Sequence, residues 1–197
     1  VLTVVISLVT GLAFRKKFFG SNLLFYTTVA SLIVPSILVS LGIGLIFNIT
    51  GWEVSWTTSG LGAHLTWTLP FGFLIMIAVF NRFDKSYEEA ARDLGASNWQ
   101  TIRHVVLPII GPSLIGVALF GFTLSYDEFA RTLMTSGVKN TLPLEIFGMT
   151  TNVTTPTLYA LGTLTTFFSL FMILTAMGVL FYLRRRQESH GSDAGKG

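Results

Sequence analysis

The chain has 197 residues, 51% of them hydrophobic and 12% charged, with a mean hydropathy of +0.65. Soluble domains carry about a quarter charged residues, so this composition excludes an ordinary water-soluble domain. The net charge of +3 is read here for its placement and not as a nucleic-acid footprint, and the lack of Cys excludes disulfides, thiolate metal sites and cysteine nucleophiles.

A helix crosses ~30 Å of hydrocarbon with roughly 20 mostly apolar residues. The first apolar run, residues 1–14, is shorter than that and begins without Met. It has neither a charged n-region nor a small-residue cleavage site, so it reads as the tail of a helix cut by a fragment boundary, with a further helix before it, and not as a signal peptide. Four longer runs follow, at residues 23–48, 61–80, 109–134 and 157–183. The expected fold is therefore all-α, with about five transmembrane helices in one membrane domain over residues 1–186. Pro35 and Pro70 fall inside apolar runs and are expected to kink them. Gly42 with Gly44, and Gly116 with Gly121, are expected to let helices approach closely. Residues 187–197 are polar and rich in small side chains, and read as a disordered tail.

Basic residues fall in three clusters: Arg15, Lys16 and Lys17; Arg82, Lys85, Arg92 and Arg103; and Arg184, Arg185 and Arg186. Each follows an odd-numbered apolar run, so alternating helices bring all of them to one side. The opposite connections, 49–60 and 135–156, hold a single basic residue, Lys139. The positive-inside rule makes the clustered side cytoplasmic and leaves the C-terminus there. Trp52 and Trp56 then fit an interfacial aromatic belt at the outer face, and His64 an interfacial position near it.

Residues 81–107 form the one long cytoplasmic connection and encode two short helices. Ser86 with Glu89 has the spacing of a capping box, and Ser97 with Gln100 repeats it. Glu88 and Glu89 sit where the helix dipole favours negative charge. Gly95 supplies the left-handed residue that ends the first helix, and Pro108 opens the next transmembrane helix. Helices this short do not hold alone in water. The face of Ala90, Ala91, Leu94, Trp99, Ile102 and Val105 must be covered by something. By periodicity alone that cover is a partner, the chain's own helix ends, or the lipid interface.

Glu89-Ala90-Ala91, Gly95, Val105, Leu107 and Pro108 fit the pattern EAA-x3-G-x9-I-x-LP, with Val105 standing where Ile is usual. The chain thereby resembles the permease subunits of binding-protein-dependent ABC importers, which usually have six helices. The resemblance implies that residues 81–107 are a pair of coupling helices seated in a groove of an ABC ATPase dimer. It makes Glu88, Glu89, Ala90, Ala91, Gly95, Val105, Leu107 and Pro108 the docking residues. It also implies a second permease subunit, sibling or self, a periplasmic substrate-binding protein, and a place in the bacterial inner membrane. The chain has no G-x4-G-K-[ST] phosphate loop, so ATP and its magnesium are expected on the partner ATPase. No cofactor or metal is expected on this chain.

The run 109–134 carries the acids and bases Asp127, Glu128 and Arg131. Charge inside the bilayer costs roughly 2.5–3.5 kcal/mol on insertion scales. Spacings of three and four residues let one acid neutralise Arg131 on a shared helix face, leaving the other to line a wet path. FTLSYDE at 122–128 and LPLEIFGM at 142–149 resemble the spermidine/putrescine branch of these permeases. By that resemblance Tyr126, Asp127 and Glu128 are candidate substrate-path residues for a cation, and Glu145 a candidate contact for the binding protein. An ion-gradient transporter or channel is the competing reading, but it leaves the capped helix pair unexplained. No catalytic constellation is present in the sequence, so an enzyme is not expected.

Overall fold

The computed structural model describes residues 1–152 and 156–193, and among the described residues the regular structure is all helical. In chain order the helices are α1 (Leu2–Phe14), α2 (Ser21–Ser31), α3 (Ser36–Thr50), α4 (Leu61–Arg82), α5 (Ser86–Asp93), α6 (Asn98–Thr101), α7 (Leu107–Tyr126), α8 (Leu142–Asn152) and α9 (Pro156–Asp193). Single π-helical turns, Trp56–Gly60 and Ile102–Val106, lead into α4 and α7.

Among the described residues three continuous spans are long and apolar enough to cross a bilayer: Trp56–Arg82, Asn98–Tyr126 and Pro156–Tyr182. The apolar run 23–48 is not one kinked helix, because α2 and α3 meet at 107°. Pro35 stands at the break with extended backbone, ψ 129°. Its ring bars Val34 from the helical region and it donates no N–H, so the helix ends and restarts. Pro70, in contrast, is carried within an unbroken α4. With the bent pair taken as one span, the described residues give up to four crossings, plus the 13-residue α1.

The end of the second coupling helix also differs from expectation. α6 does not stop before Pro108 but widens through the π-helical turn and continues into α7 as one span. Pro108 has no N–H to place in the regular ladder. The ladder lengthens there, with the Leu107 N–H on the Ile102 carbonyl.

The core lies where α1, α4 and α7 pack together. Met76, Phe80, Val106, Ile110 and Val117 are buried, with Val4, Leu8, Leu12 and Leu114 against them. The close approaches fall at glycines other than most of those expected. A Cβ at Gly11 would lie 2.8 Å from the Met76 Cβ, and one at Gly72 would strike the Ser7 side chain, so α1 and α4 cross nearly in contact. Gly44 does meet the Met134 carbonyl, whereas Gly42 and Gly116 face open space. α9 touches α7 through Phe168 against Phe122 and Tyr126 and also meets α8, but none of the residues in its apolar span is fully buried. It stays helical from Gln187 to Asp193, through part of the tail expected to be disordered. Straight-chain Arg, Gln and Glu are good helix formers. Residues 194–197 of that tail lie outside the described residues.

Candidate functional site

The connection between α4 and α7 folds as an elbow. α5 is not capped by Ser86: Lys85 takes the N-cap with helical angles, and the Ser86 N–H donates to the Asp84 carboxylate at 2.9 Å. The Ser86–Glu89 box therefore does not form, because starting the helix one residue earlier moves Ser86 into its first turn. The Ser86 backbone N–H, and then its hydroxyl, hold the Asp84 carboxyl below its ordinary pKa. The second box does form. The Gln100 N–H donates to the Ser97 hydroxyl at 3.3 Å, and the Ser97 N–H to the Gln100 side chain at 2.8 Å. Between the two helices Gly95 takes φ +84°, and the Ala96 N–H reaches the Ala91 carbonyl at 3.0 Å. This is the left-handed termination read from the sequence.

The two adjacent glutamates point opposite ways. Glu88 is buried, its carboxylate 2.6 Å from Arg15 at the end of α1 and 3.4 Å from Arg92 one turn on. Arg15 also lies over the Phe80 and Phe83 rings, at 5.2 and 5.4 Å. Glu88 thus fastens the elbow to the membrane core and does not present itself on the free surface. Glu89 and Ala90 are exposed and Ala91 is half-buried. Tyr87, Leu94 and Trp99 stand uncovered beside them, Leu94 at 90% exposure. At the far end of the pattern, Leu107 packs against the core beside the buried Val106, and Val105 is half-buried. The expected docking residues therefore divide into an open face on α5 and a segment that joins the elbow to α7.

At the opposite end of α7 the helix stops at Tyr126, so Asp127, Glu128 and Arg131 lie in turns and not on one helical face. Among the described residues Glu128 makes no direct ion pair with the Arg131 guanidinium. Its carboxylate accepts the Arg131 backbone N–H at 2.8 Å, which closes the turn. The Arg131 side chain is fully buried. It donates to the Thr66 hydroxyl at 2.7 Å and lies 4.7 Å from the Trp67 ring centroid. Among the described residues the Nε and Nη2 atoms of Arg131 have no hydrogen-bond partner. Asp127 is exposed beside Tyr126, which stacks on Phe122 and meets Phe168. His64 is not simply interfacial: its Nδ1 is 2.9 Å from the Ser125 hydroxyl, joining α4 to α7. Trp52 and Trp56 are both exposed.

Residues 142–149 are helical as expected, within α8, and Glu145 is exposed near its start. The Asn140 side-chain amide donates to the Glu145 carboxylate at 2.8 Å. Phe147 packs on Phe129, which ties α8 to the Arg131 turn.

Sequence reasoning missed the partners that lie far away along the chain. Arg15 counted only as an orientation signal, and Thr66 and Trp67 carried no signal at all. The Glu88–Arg92 spacing of four residues could have marked Glu88 as internally paired.

Residues 3–189 match the family described as binding-protein-dependent transport system inner membrane component. The spermidine/putrescine transport system permease protein PotC of Haemophilus influenzae is 33% identical over 178 residues, 90% of this chain and 65% of its own length. The putrescine transport system permease protein PotI of Escherichia coli is 30% identical, over 87% of this chain and 62% of its own length. The chain thus spans a little under two-thirds of the length of these relatives. A chain of the inward-facing MetNI methionine ABC transporter superposes with a TM-score of 0.66 at 18% identity, covering 92% of this chain and 87% of that one. With its uncovered apolar helices, capped elbow and permease fold, this chain belongs to the family of inner membrane components of binding-protein-dependent transport systems.

Proposed function

We propose that the chain is a channel-forming subunit of an ATP-driven importer, passing a small solute from a periplasmic binding protein to the cytoplasm by alternating access. The elbow is the seat of the ATPase and lies, with the C-terminus, on the cytoplasmic side. ATP and its magnesium are held by that partner, and a second permease subunit completes the pathway. One observation carries the reading. α5 buries Glu88 against Arg15 while leaving Glu89, Ala90 and Leu94 open. An eight-residue helix with an uncovered apolar side is unstable in water by itself, and a groove on a partner covers it.

The Glu88–Arg15 pair makes the elbow a lever. When two ATPases close and draw the elbows together, the pair pulls on α1, and the unbroken rod from Asn98 to Tyr126 carries the motion to the turn at Asp127. Tyr126, Asp127 and Glu128 stand at that end of the path. Asp127 offers a carboxylate beside the rings of Tyr126, Phe122 and Phe168, which suits a cation by charge and by cation–π attraction. Together with the names of the relatives, this favours a polyamine or similar cation as cargo. Glu145, at the start of α8, is the candidate contact for the binding protein.

Substitution of the two glutamates separates docking from transmission. Glu89→Lys is expected to abolish both co-purification of the ATPase and uptake, because it reverses charge on the open face. Glu88→Gln is expected to leave co-purification intact and lower uptake at least tenfold, because it cuts the tie to Arg15. Normal co-purification and uptake by Glu89→Lys would overturn the docking assignment.

A further inference from the structure

Between the elbow and the end of α1 lies a cavity of ≈ 420 Å³ whose charge is one-sided. Arg15, Lys16, Lys85 and Arg92 line it, and Glu88 is its one acid. Glu88 is already engaged by Arg15 and Arg92. Among the described residues neither Lys16 nor Lys85 has an ion-pair partner. Two free ammonium groups therefore share a concave site with a carboxylate that has no charge to spare. Like charges held together repel, and an anion relieves the repulsion.

The surroundings identify the kind of anion. Val5, Val9 and Leu12 are spaced by four and three residues, so they share one side of α1, and Lys16 follows just past the helix end at Phe14. Val5 and Val9 are more than half exposed, and Leu12 forms part of the cavity wall. The exposed Val5 and Val9 thus lead down α1 toward Leu12, which packs against the core and walls the basic cavity. Just beyond it Phe19 is fully exposed, directly after Lys16, Lys17 and Phe18. Apolar strip, then cationic pocket, is the order in which a phospholipid presents acyl chain and phosphate. A free phosphate ion would have no use for the strip.

We propose that this cavity is a binding site for the phosphate of an anionic phospholipid, whose chain lies along Val5 and Val9. Basic pockets between helices at the membrane surface are suited to such head groups. Bound there, the lipid bridges Lys16, just past the end of α1, and Lys85 at the start of α5, and so reinforces the Glu88–Arg15 tie from outside. The site is read from charge and geometry alone, so it stands or falls separately from ATPase docking.

The test is native mass spectrometry of the purified full chain in detergent, offered phosphatidylglycerol or phosphatidylcholine. One phosphatidylglycerol is expected to be retained in preference to phosphatidylcholine, and millimolar inorganic phosphate is expected not to displace it. Lys16→Gln and Lys85→Gln are each expected to weaken retention about fivefold. Lys17→Gln, which removes an equal charge outside the cavity, is expected to leave retention unchanged. Equal retention of the two lipids, or equal losses in all three variants, would overturn the site. Displacement by inorganic phosphate would assign the cavity to a free anion, and displacement by added ATPase subunit to an acidic side chain of that partner. Either result defeats the lipid assignment.

Discussion

The elbow at residues 84–106 and the turn at residues 127–137 are both polar interruptions between apolar rods, but they are finished in opposite ways. In the elbow the buried glutamate pairs with Arg15 and Arg92, while Tyr87, Leu94 and Trp99 are left in the open. In the turn Arg131 and Thr132 are completely buried and their contacts are made within the chain. Each region contains a left-handed glycine, and these differ in the same sense. Gly95 has φ +84° with nothing within 4 Å of where a Cβ would be, whereas at Gly137, φ +71°, that Cβ would run into the Val54 carbonyl. The turn is a closed piece of structure that ties the middle of α3 to the ends of α4 and α7. The elbow is an unfinished surface, open to a second molecule.

The largest effect expected from this contrast is at Gly137. Gly137→Ala combines a left-handed penalty with a backbone collision and should cost ~3 kcal/mol or more. Gly95→Ala meets only the conformational penalty, about 1 kcal/mol. Unfolding midpoints in detergent decide between them, and equal losses would mean that the turn is as open as the elbow. Next comes Arg131. Arg131→Ala empties a packed site beside Trp67 and should cost about 3 kcal/mol, while Arg131→Met keeps the volume and removes unpartnered N–H groups, for a change within about 1 kcal/mol. If Met destabilised as much as Ala, the contacts to Thr66 and Trp67 would matter more than the filling of space.

The smallest effects sharpen the picture of the elbow itself. Ser97→Ala loses a formed cap and should cost about 1 kcal/mol, whereas Ser86→Ala should change stability far less, because Asp84 makes the contact there. The Asp84 pKa is depressed in the folded protein. Its contribution is therefore complete above the ordinary carboxylate value and is lost as pH falls through the depressed one. Asp84→Asn should remove that acid dependence from the elbow's unfolding, measured by hydrogen exchange of the Ser86 amide.

Local signals were legible wherever one residue acts on another a few positions away. Gly95 and the Ser97–Gln100 box needed only spacing, and both are as read. Ser86–Glu89 had the same spacing and failed, since Asp84 competes for the same N–H two residues earlier. Glu128 and Arg131 do interact across three residues, but through backbone, because α7 ends before it can carry them on one face. Pro35 announced a disturbance without its size. Whether proline bends a helix or breaks it depends on what receives the freed carbonyls, and Pro70 shows the milder outcome within the same chain.

By itself the sequence determined the solvent, the all-helical class and the two-helix elbow with its glycine corner. These follow from composition and from bonding between near neighbours, and neither depends on the rest of the chain. Tertiary structure alone decided that Glu88 faces inward while Glu89 faces outward, that Gly11 and Gly72 are the points of closest approach, and that Arg131 sits between Thr66 and Trp67. The physical reason is that burial and ion pairing are settled by groups more than sixty residues apart, which no periodicity records.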